Sequence, residues 1–243
     1  MPLVFEPEGY NITEYGTCIL PPALLHAICR TFYVEFLQVK TDGMTVAEAM
    51  ATKNHAIIKL DFENGVDIYR GARILMNVDF EIASDEDNVS EPRYRPGKLL
   101  LKPVTYPYPS TNSARTFRIG LAPNTTVGNL LDALLRQHMQ FFHFIAINDK
   151  YYGCRDFITQ AICRMASCGY IHPHITGSAP AVPQLPINNV YDALGIRFNA
   201  INPMVLAVYP VDKGDFTYYT RDEQPGMPYA GSQRARQLQA LLS

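Results

Sequence analysis

The sequence predicts an α+β fold in which an antiparallel sheet packs against helices, and three stretches carry that reading. Two apolar-rich runs, His55–Phe62 and Val66–Met76, flank Glu63-Asn64-Gly65, and Asn-Gly between such runs is the strongest short-range hairpin signal. A helix is expected from Val127 to about Met139, introduced by Pro123-Asn124-Thr125-Thr126 and striped by Val127, Leu130, Leu131, Leu134 and Leu135. A second helix opens at Gly153-Cys154, after which Phe157, Ile158, Ala161, Ile162, Met165 and Ala166 recur at the helical period.

The remaining elements follow in chain order. Residues 1–22 read as irregular, closed by Pro21-Pro22. Ala23–Lys40 begins as a short helix and passes into a strand, because Thr31, Tyr33, Glu35 and Leu37 alternate with Phe32, Val34, Phe36 and Gln38. Thr41-Asp42-Gly43 makes a turn, and Thr45 caps a short helix to about Thr52, with Glu48 placed as in a capping box. Ser84–Arg95 carries Asp85, Glu86, Asp87 and Glu91 followed by Arg93 and Arg95, the composition of an exposed loop. Gly97–Tyr106 and Arg115–Leu121 read as strands separated by Pro107-Tyr108-Pro109-Ser110, while Phe141–Ile147 fits a short strand or a loop. Beyond Gly169 a connection containing Pro173, Pro180, Pro183 and Pro186 leads to a strand pair, Ile196–Phe198 with Met204–Tyr209, which Tyr218-Tyr219 extends. Residues 1–219 are thus expected to form one domain with a C-terminal strand extension. Residues 220–243, polar and broken by Pro225, Gly226 and Pro228 before a helix candidate at Gln233–Leu242, read as a weakly ordered tail.

Composition narrows the function. A chain of 243 residues that is 47% hydrophobic has ample material for a packed core. A net charge of −2 provides no general electrostatic footprint for nucleic acid. Met1–Tyr15 carries Glu6, Glu8 and Glu14 without a basic leader, and no run of about 18 apolar residues occurs, so a soluble cytoplasmic protein without a membrane partner is expected. The five cysteines are odd in number and lack CxxC spacing, which points to neither a disulfide framework nor a structural zinc site, and no cofactor is called for. There is no internal repeat, nucleotide-binding glycine loop or GxSxG elbow.

Cys154 is the candidate nucleophile. Gly153 lets the backbone turn sharply, and the unpaired N–H groups of the first helical turn favour a thiolate, lowering the pKa from about 8.5. A free cysteine is more commonly a small buried hydrophobe, and the helix-start position is what sets Cys154 apart. A thiolate needs an imidazole partner, and the chain has six histidines. His26 and His138 sit on helical segments with no reason to converge on Cys154, His143 is close in sequence, and His172 and His174 follow the far end of the Cys154 helix. His55 heads a strand that can cross the face of the sheet on which that helix packs, which makes it the strongest candidate.

The order of parts resembles known families. Asn54-His55-Ala56-Ile57-Ile58-Lys59-Leu60, then a long β segment, a helix, and Gly153-Cys154-Arg155-Asp156-Phe157 resembles the circularly permuted papain-like enzymes, lecithin:retinol acyltransferase relatives and permuted deubiquitinase-like peptidases. Those place a His strand before an Asn-Cys-x-His-Phe helix; here Gly153 replaces the Asn and Asp156 the residue two after Cys. A closer likeness is to a fungal family of unknown function with Asn-His-Trp, Gly-x-x-Arg-x-x-Met, Thr-Val-x-x-Ile/Leu and Gly-Cys-Arg-aromatic-aromatic motifs. They correspond to Asn54-His55, Gly71–Met76, Thr126–Leu130 and Gly153-Cys154-Arg155. The likeness spans Thr31 to Ile171, with Ala56 in place of the strand Trp and Asp156 in place of an aromatic, changes that reshape the cavity wall. It implies a circularly permuted papain-like (NlpC/P60-like) fold; activity does not transfer with fold.

Within that arrangement Cys154 and His55 are the catalytic candidates. If Asn64-Gly65 is a two-residue turn, His55 falls opposite Ile74, with Arg73, Leu75 and Asn77 within one bulge of it; Asn77 is then the best third member and Asp79 the next. Asp61 and Asp67 lie toward the turn, roughly 20 Å along the ladder. Arg155, Asp156 and Arg73 are the substrate-binding candidates, Arg155 as a cation at the mouth of the site. The expected function is cysteine-dependent acyl transfer on a small ester, thioester or amide, as hydrolase, transferase or cyclase, and the likeness to the fungal family extends this to secondary-metabolite biosynthesis. Two alternatives stay open: a non-catalytic small-molecule-binding or cyclisation-template protein using an interior rich in the chain's 15 Tyr and 12 Phe, and a protein-interaction module.

Overall fold

The computed structural model describes residues 8–38, 43, 45, 54–81, 93–147, 150–176, 187, 189–198 and 206–242. All but Thr45 of the helix expected from Thr45 to Thr52, and most of the acidic Ser84–Arg95 loop, lie outside these residues. Arg93–Arg95 belong to a strand.

The described elements are β1 (Tyr10–Asn11), α1 (Ile12–Tyr15), α2 (Pro22–Leu25), β2 (Cys29–Leu37), β3 (Ala56–Val66), β4 (Tyr69–Val78), β5 (Arg93–Val104) and β6 (Ser113–Leu121). They continue with α3 (Val127–Leu135), β7 (Phe142–Ile147), β8 (Lys150–Tyr152), α4 (Cys154–Ser167), β9 (Ile171–Ile175), α5 (Val190–Leu194), β10 (Ile196–Phe198), β11 (Leu206–Val208), β12 (Asp215–Phe216) and α6 (Gln233–Leu242). One large antiparallel sheet runs β12-β7-β5-β4-β3-β2-β6-β9, with β1 added to β5 and β8 to β7, and it curls into a half-barrel. β10 and β11 form a separate antiparallel pair, Ile196 facing Val208. Tyr218-Tyr219 does not extend that pair; the chain there instead joins the large sheet through β12, which pairs with β7.

Period-two alternation divides the sheet into two faces. Phe32, Val34 and Phe36, Ile58 and Leu60, Ala72, Ile74 and Met76, and Phe117 and Ile119 line one face and join the core with Phe157, Ile158, Ala161 and Ile162 of α4. Ile57, Leu75 and Leu100 sit together on the other face, which also carries Glu35, Lys59 and Asp61, all fully buried. Lys59 pairs with Asp61, and the backbone N–H groups of Tyr108 and Ser110 donate to Asp61 and Glu35, so the loop after β5 closes over these charges.

The hairpin forms, but not at Asn64-Gly65. β3 runs through that dipeptide, Val66 pairs with Tyr69, and the turn falls on Asp67-Ile68, with Asp67 taking the positive φ of 51° that a tight turn requires. Between the Asp61–Gly71 and Val66–Tyr69 rungs the register shifts, so Ile58 rather than His55 faces Ile74. An Asn-Gly pair favours a turn only if nothing nearby turns at lower cost, and Arg70 ties the Asp67 turn by donating to the Asp67 carbonyl.

One helix and the C-terminal segment differ from expectation. α3 has a full capping box between Thr126 and Asn129, but stops at Leu135, because His138 adopts φ 55° and turns the chain. The residues from Thr220 are not a loose tail. Met227, Tyr229, Ala235 and Leu238 are buried, and Arg221, Asp222 and Tyr229 bond to the polar side of α4. Polar residues on a helix ordinarily mark a solvated face; here Asp156 and Gln160 are fully buried because the C-terminal segment supplies their partners.

Candidate active site

Cys154 is the first residue of α4, and Gly153 before it has φ 122°, a region that L side chains rarely adopt. A Cβ at Gly153 would lie 3.0 Å from both the Cα of Gly214 and the Cζ of Phe142. Position and conformation therefore both require glycine, and they set the angle at which Cys154 leaves the preceding strand. Gly153→Ala is expected to destabilise the fold by about 1–3 kcal/mol and to slow any chemistry at Cys154, read by thermal melting together with thiol labelling. An unchanged melting temperature would mean that neither strain nor contact limits this turn.

His55 immediately precedes β3, and its carbonyl accepts from Leu37 N–H at 2.8 Å. Its ring hydrogen-bonds the Cys154 thiol. Ala56 N–H also donates to that sulfur. Cys154 retains partial solvent contact, yet protein packs closely around the sulfur and burial alone would push its pKa up. The hydrogen bond from His55, the positive charge of that ring, the nearby Arg155 and the Ala56 N–H outweigh burial and bring the thiol down to about 7 from an ordinary 9.0. Cys29 and Cys163 go the other way: burial raises both to about 12, with Asp61 adding to it at Cys29 and Asp222 at Cys163.

Arg155 is not at the mouth of the site. It is 3% exposed, donates through Nη1 to the carbonyls of Leu194 (2.8 Å) and Ile196 (2.7 Å), and lies over the rings of Phe36 and Tyr209. Burial lowers its pKa to about 10, opposed by the charges of Cys154, Tyr209 and Asp212, so it remains a cation at neutral pH. Asp156 is also withdrawn from any ligand. Its carboxylate is fully buried and accepts from Arg221 Nη2 (2.7 Å), Tyr229 Oη (2.7 Å) and Gly214 N–H (2.9 Å). Arg73 stands on the other face of the sheet, between the core residues Ala72 and Ile74, where it pairs with Glu35 at 3.5 Å and faces the ring of Tyr106. None of the three substrate-binding candidates presents a free group beside Cys154, since two are consumed by the fold and alternation carries the third away.

The register sets Asn77 level with His55 if the pairing is carried forward, but bonded pairing between β3 and β4 ends at Ile58–Ile74, three rungs short of that level. Asn77 is thus in line with His55 without a ladder bond connecting their strands there; its own ladder partner is Lys98. Asp79, the next choice, is buried near Lys98 at 3.8 Å and accepts from Glu81 N–H.

Residues not identified from sequence complete the surroundings. Tyr209 and Asp212 act electrostatically on Arg155, and Tyr152 and Arg197 act on Tyr209. Asn54, quoted above only as part of a motif, is 1% exposed and bridges two segments: its Nδ2 donates to the Leu37 carbonyl at 3.1 Å and its Oδ1 accepts from Phe198 N–H at 2.9 Å. No sequence signal identified Tyr209, Asp212 or Arg221, which reach the site from distant parts of the chain. Among the described residues, no group of three or more His, Cys, Asp or Glu could hold a metal ion, and no helix is long and apolar enough to cross a membrane.

No curated protein and no solved structure matches the chain. A family described as a domain of unknown function, DUF7770, matches residues 73–216, more than half of the length, a span that includes Cys154 and begins after His55. The chain, with its Cys154 helix inside the matched region, belongs to the DUF7770 family.

Proposed function

We propose that this protein is a cysteine-dependent acyl-transfer enzyme in which Cys154 is the nucleophile and His55 its proton carrier, in a permuted papain-like arrangement. The observation that carries the reading is the hydrogen bond of His55 to a helix-start thiol whose pKa is brought down to about 7. A papain-like nucleophile has this form: a thiolate at a helix N-terminus beside an imidazolium carried by a strand.

The chemistry balances with these two residues. The Cys154 thiolate adds to the carbonyl carbon of an ester, thioester or amide, forming a C–S bond, and the oxygen charge is met by the first-turn N–H of Cys154. Collapse breaks the bond to the leaving group, which takes the proton from the His55 imidazolium. Water or an amine then attacks the acyl-enzyme, gives its proton to His55 and restores the thiolate. Asn77 is the register-matched residue for orienting the His55 ring in this scheme, and small acyl substrates fit a thiol that retains only partial solvent contact.

The test is the pH dependence of iodoacetamide labelling, resolved by residue. A pKa near 7 instead of 9.0 makes about half of Cys154 thiolate at pH 7, against about 1% for an ordinary cysteine. Intrinsic nucleophilicity falls with pKa, and this offsets all but about five- to eightfold of the gain. The midpoint is therefore more diagnostic than the absolute rate: labelling at Cys154 should rise as pH increases through about 7 and level off above it. In His55→Ala the two largest lowering influences are gone while burial, Arg155 and the Ala56 N–H persist, so the midpoint should move clearly upward from 7 toward the ordinary thiol value. A wild-type midpoint at the ordinary thiol value would remove the thiolate–imidazolium pair and the proposal with it.

A further inference from the structure

The residues next to the proposed dyad in sequence are themselves joined. Arg155, immediately after Cys154, donates through Nη2 to the carbonyl of Asn54, immediately before His55, at 3.4 Å. The same guanidinium holds the carbonyls of Leu194 and Ile196, and the Asn54 side chain holds Phe198 N–H and the Leu37 carbonyl. The start of α4, the entry to β3, the end of β2 and the α5–β10 segment therefore meet at one buried guanidinium and one buried amide. Both side chains are at most 3% exposed, and the guanidinium lies 5.2 Å from the Phe36 ring centroid, so neither residue has room to re-form these bonds in another geometry.

We infer that Arg155 and Asn54 are positioning residues that fix the separation of Cys154 and His55, so that the dyad exists as a hydrogen-bonded pair only while this tie is intact. The inference rests on the dyad proposed above. It follows from chain geometry: the peptide adjoining the imidazole and the residue adjoining the thiol share a bond, and each is anchored to the third segment, 194–198. A planar fork with several donors serves three carbonyls from two separate nitrogens, which a lysine ammonium, a single point donor, cannot reproduce. The inference also accounts physically for two motifs, Asn-His and Cys-Arg, in which one residue bears chemistry and its neighbour holds the place.

The test compares Arg155→Lys, Arg155→Met and Asn54→Ala by the pH midpoint of Cys154 labelling, each variant first shown to melt cooperatively. Wild type is expected at about 7. All three variants should move the midpoint up by roughly one pH unit or more, because the His55 hydrogen bond is lost in each. Arg155→Lys separates tie from charge: a wild-type midpoint there, with a raised one in Arg155→Met, would show Arg155 acting through charge alone and would overturn the inference. Unshifted midpoints in folded variants would overturn it also, leaving the dyad intact. Asn54→Ala covers the case in which Arg155→Met fails to fold, since it removes the side-chain anchors to the Leu37 carbonyl and Phe198 N–H that hold the Asn54 carbonyl in place, without removing a charge. A wild-type midpoint near 9 would instead refute the dyad, an outcome distinct from failure of the tie.

Discussion

Cys154→Ser should reduce turnover by about a thousandfold or more on any acyl substrate, while the melting temperature stays within a few degrees of wild type. The exchange keeps volume and polarity, so packing at the start of α4 is little changed. The nucleophile, however, becomes a hydroxyl whose proton His55 cannot remove at neutral pH as it does that of a thiol held at about 7. A thousandfold loss corresponds to about 4 kcal/mol of transition-state stabilisation, within the range of covalent catalysis. Cys163→Ser is the control on the same helix. The Cys163 sulfur donates to Asp222 Oδ2 at 3.0 Å, so the serine hydroxyl retains an acceptor and both rate and stability should be nearly preserved. The cost of burying a hydroxyl in place of the thiol is offset by that carboxylate. Full activity in Cys154→Ser would defeat the covalent mechanism and leave the fold untouched.

Asp156→Ala should be the most damaging single change to stability. It removes the acceptor shared by Arg221, Tyr229 and the Gly214 amide, and leaves a guanidinium only 18% exposed without its counter-ion. Burial opposes the charge of Arg221, but the Asp156 carboxylate outweighs it and raises the Arg221 pKa, so the group stays charged. Breaking one side of a buried pair costs about 3–5 kcal/mol. For a chain of this size that lowers the melting temperature by about 6–20 °C, measurable by calorimetry. Arg221→Met should cost less, since an apolar side chain replaces the cation, although the carboxylate keeps two other donors. A loss below 1 kcal/mol in Asp156→Ala would show that the C-terminal segment does not depend on this ion pair.

Elements with strong local patterns were legible in the sequence. The alternation of Thr31–Leu37, the capped stripe from Val127 and the apolar period after Cys154 each correspond to β2, α3 and α4, because each records burial of one face against a core that any partner could supply. The choice of His55 as candidate partner of Cys154 rests, in the sequence, on a strand that can cross the sheet face on which the Cys154 helix packs. Register was less accessible: a competing turn at Asp67-Ile68 displaced Asn64-Gly65 and moved every β4 partner of β3, and local composition cannot rank two adjacent turns whose stability depends on the strands they join.

What the sequence by itself determined is therefore the type of the most strongly patterned elements, the mixed α+β class with antiparallel strands, and the place of a cysteine that begins a helix; the strands Tyr10–Asn11 and Ile171–Ile175 fall where no such pattern exists. Tertiary structure alone decided which charged residues would be left for ligands. Arg155, Asp156 and Arg73 look alike in sequence, polar groups near the motifs, yet the first is consumed by carbonyls from residues 54, 194 and 196, the second by a C-terminal segment about 60 to 70 residues away, and the third is turned to the far face of the sheet. The reason is that a buried charge is tolerated only where partners converge on it, and those partners come from segments whose proximity no local pattern records.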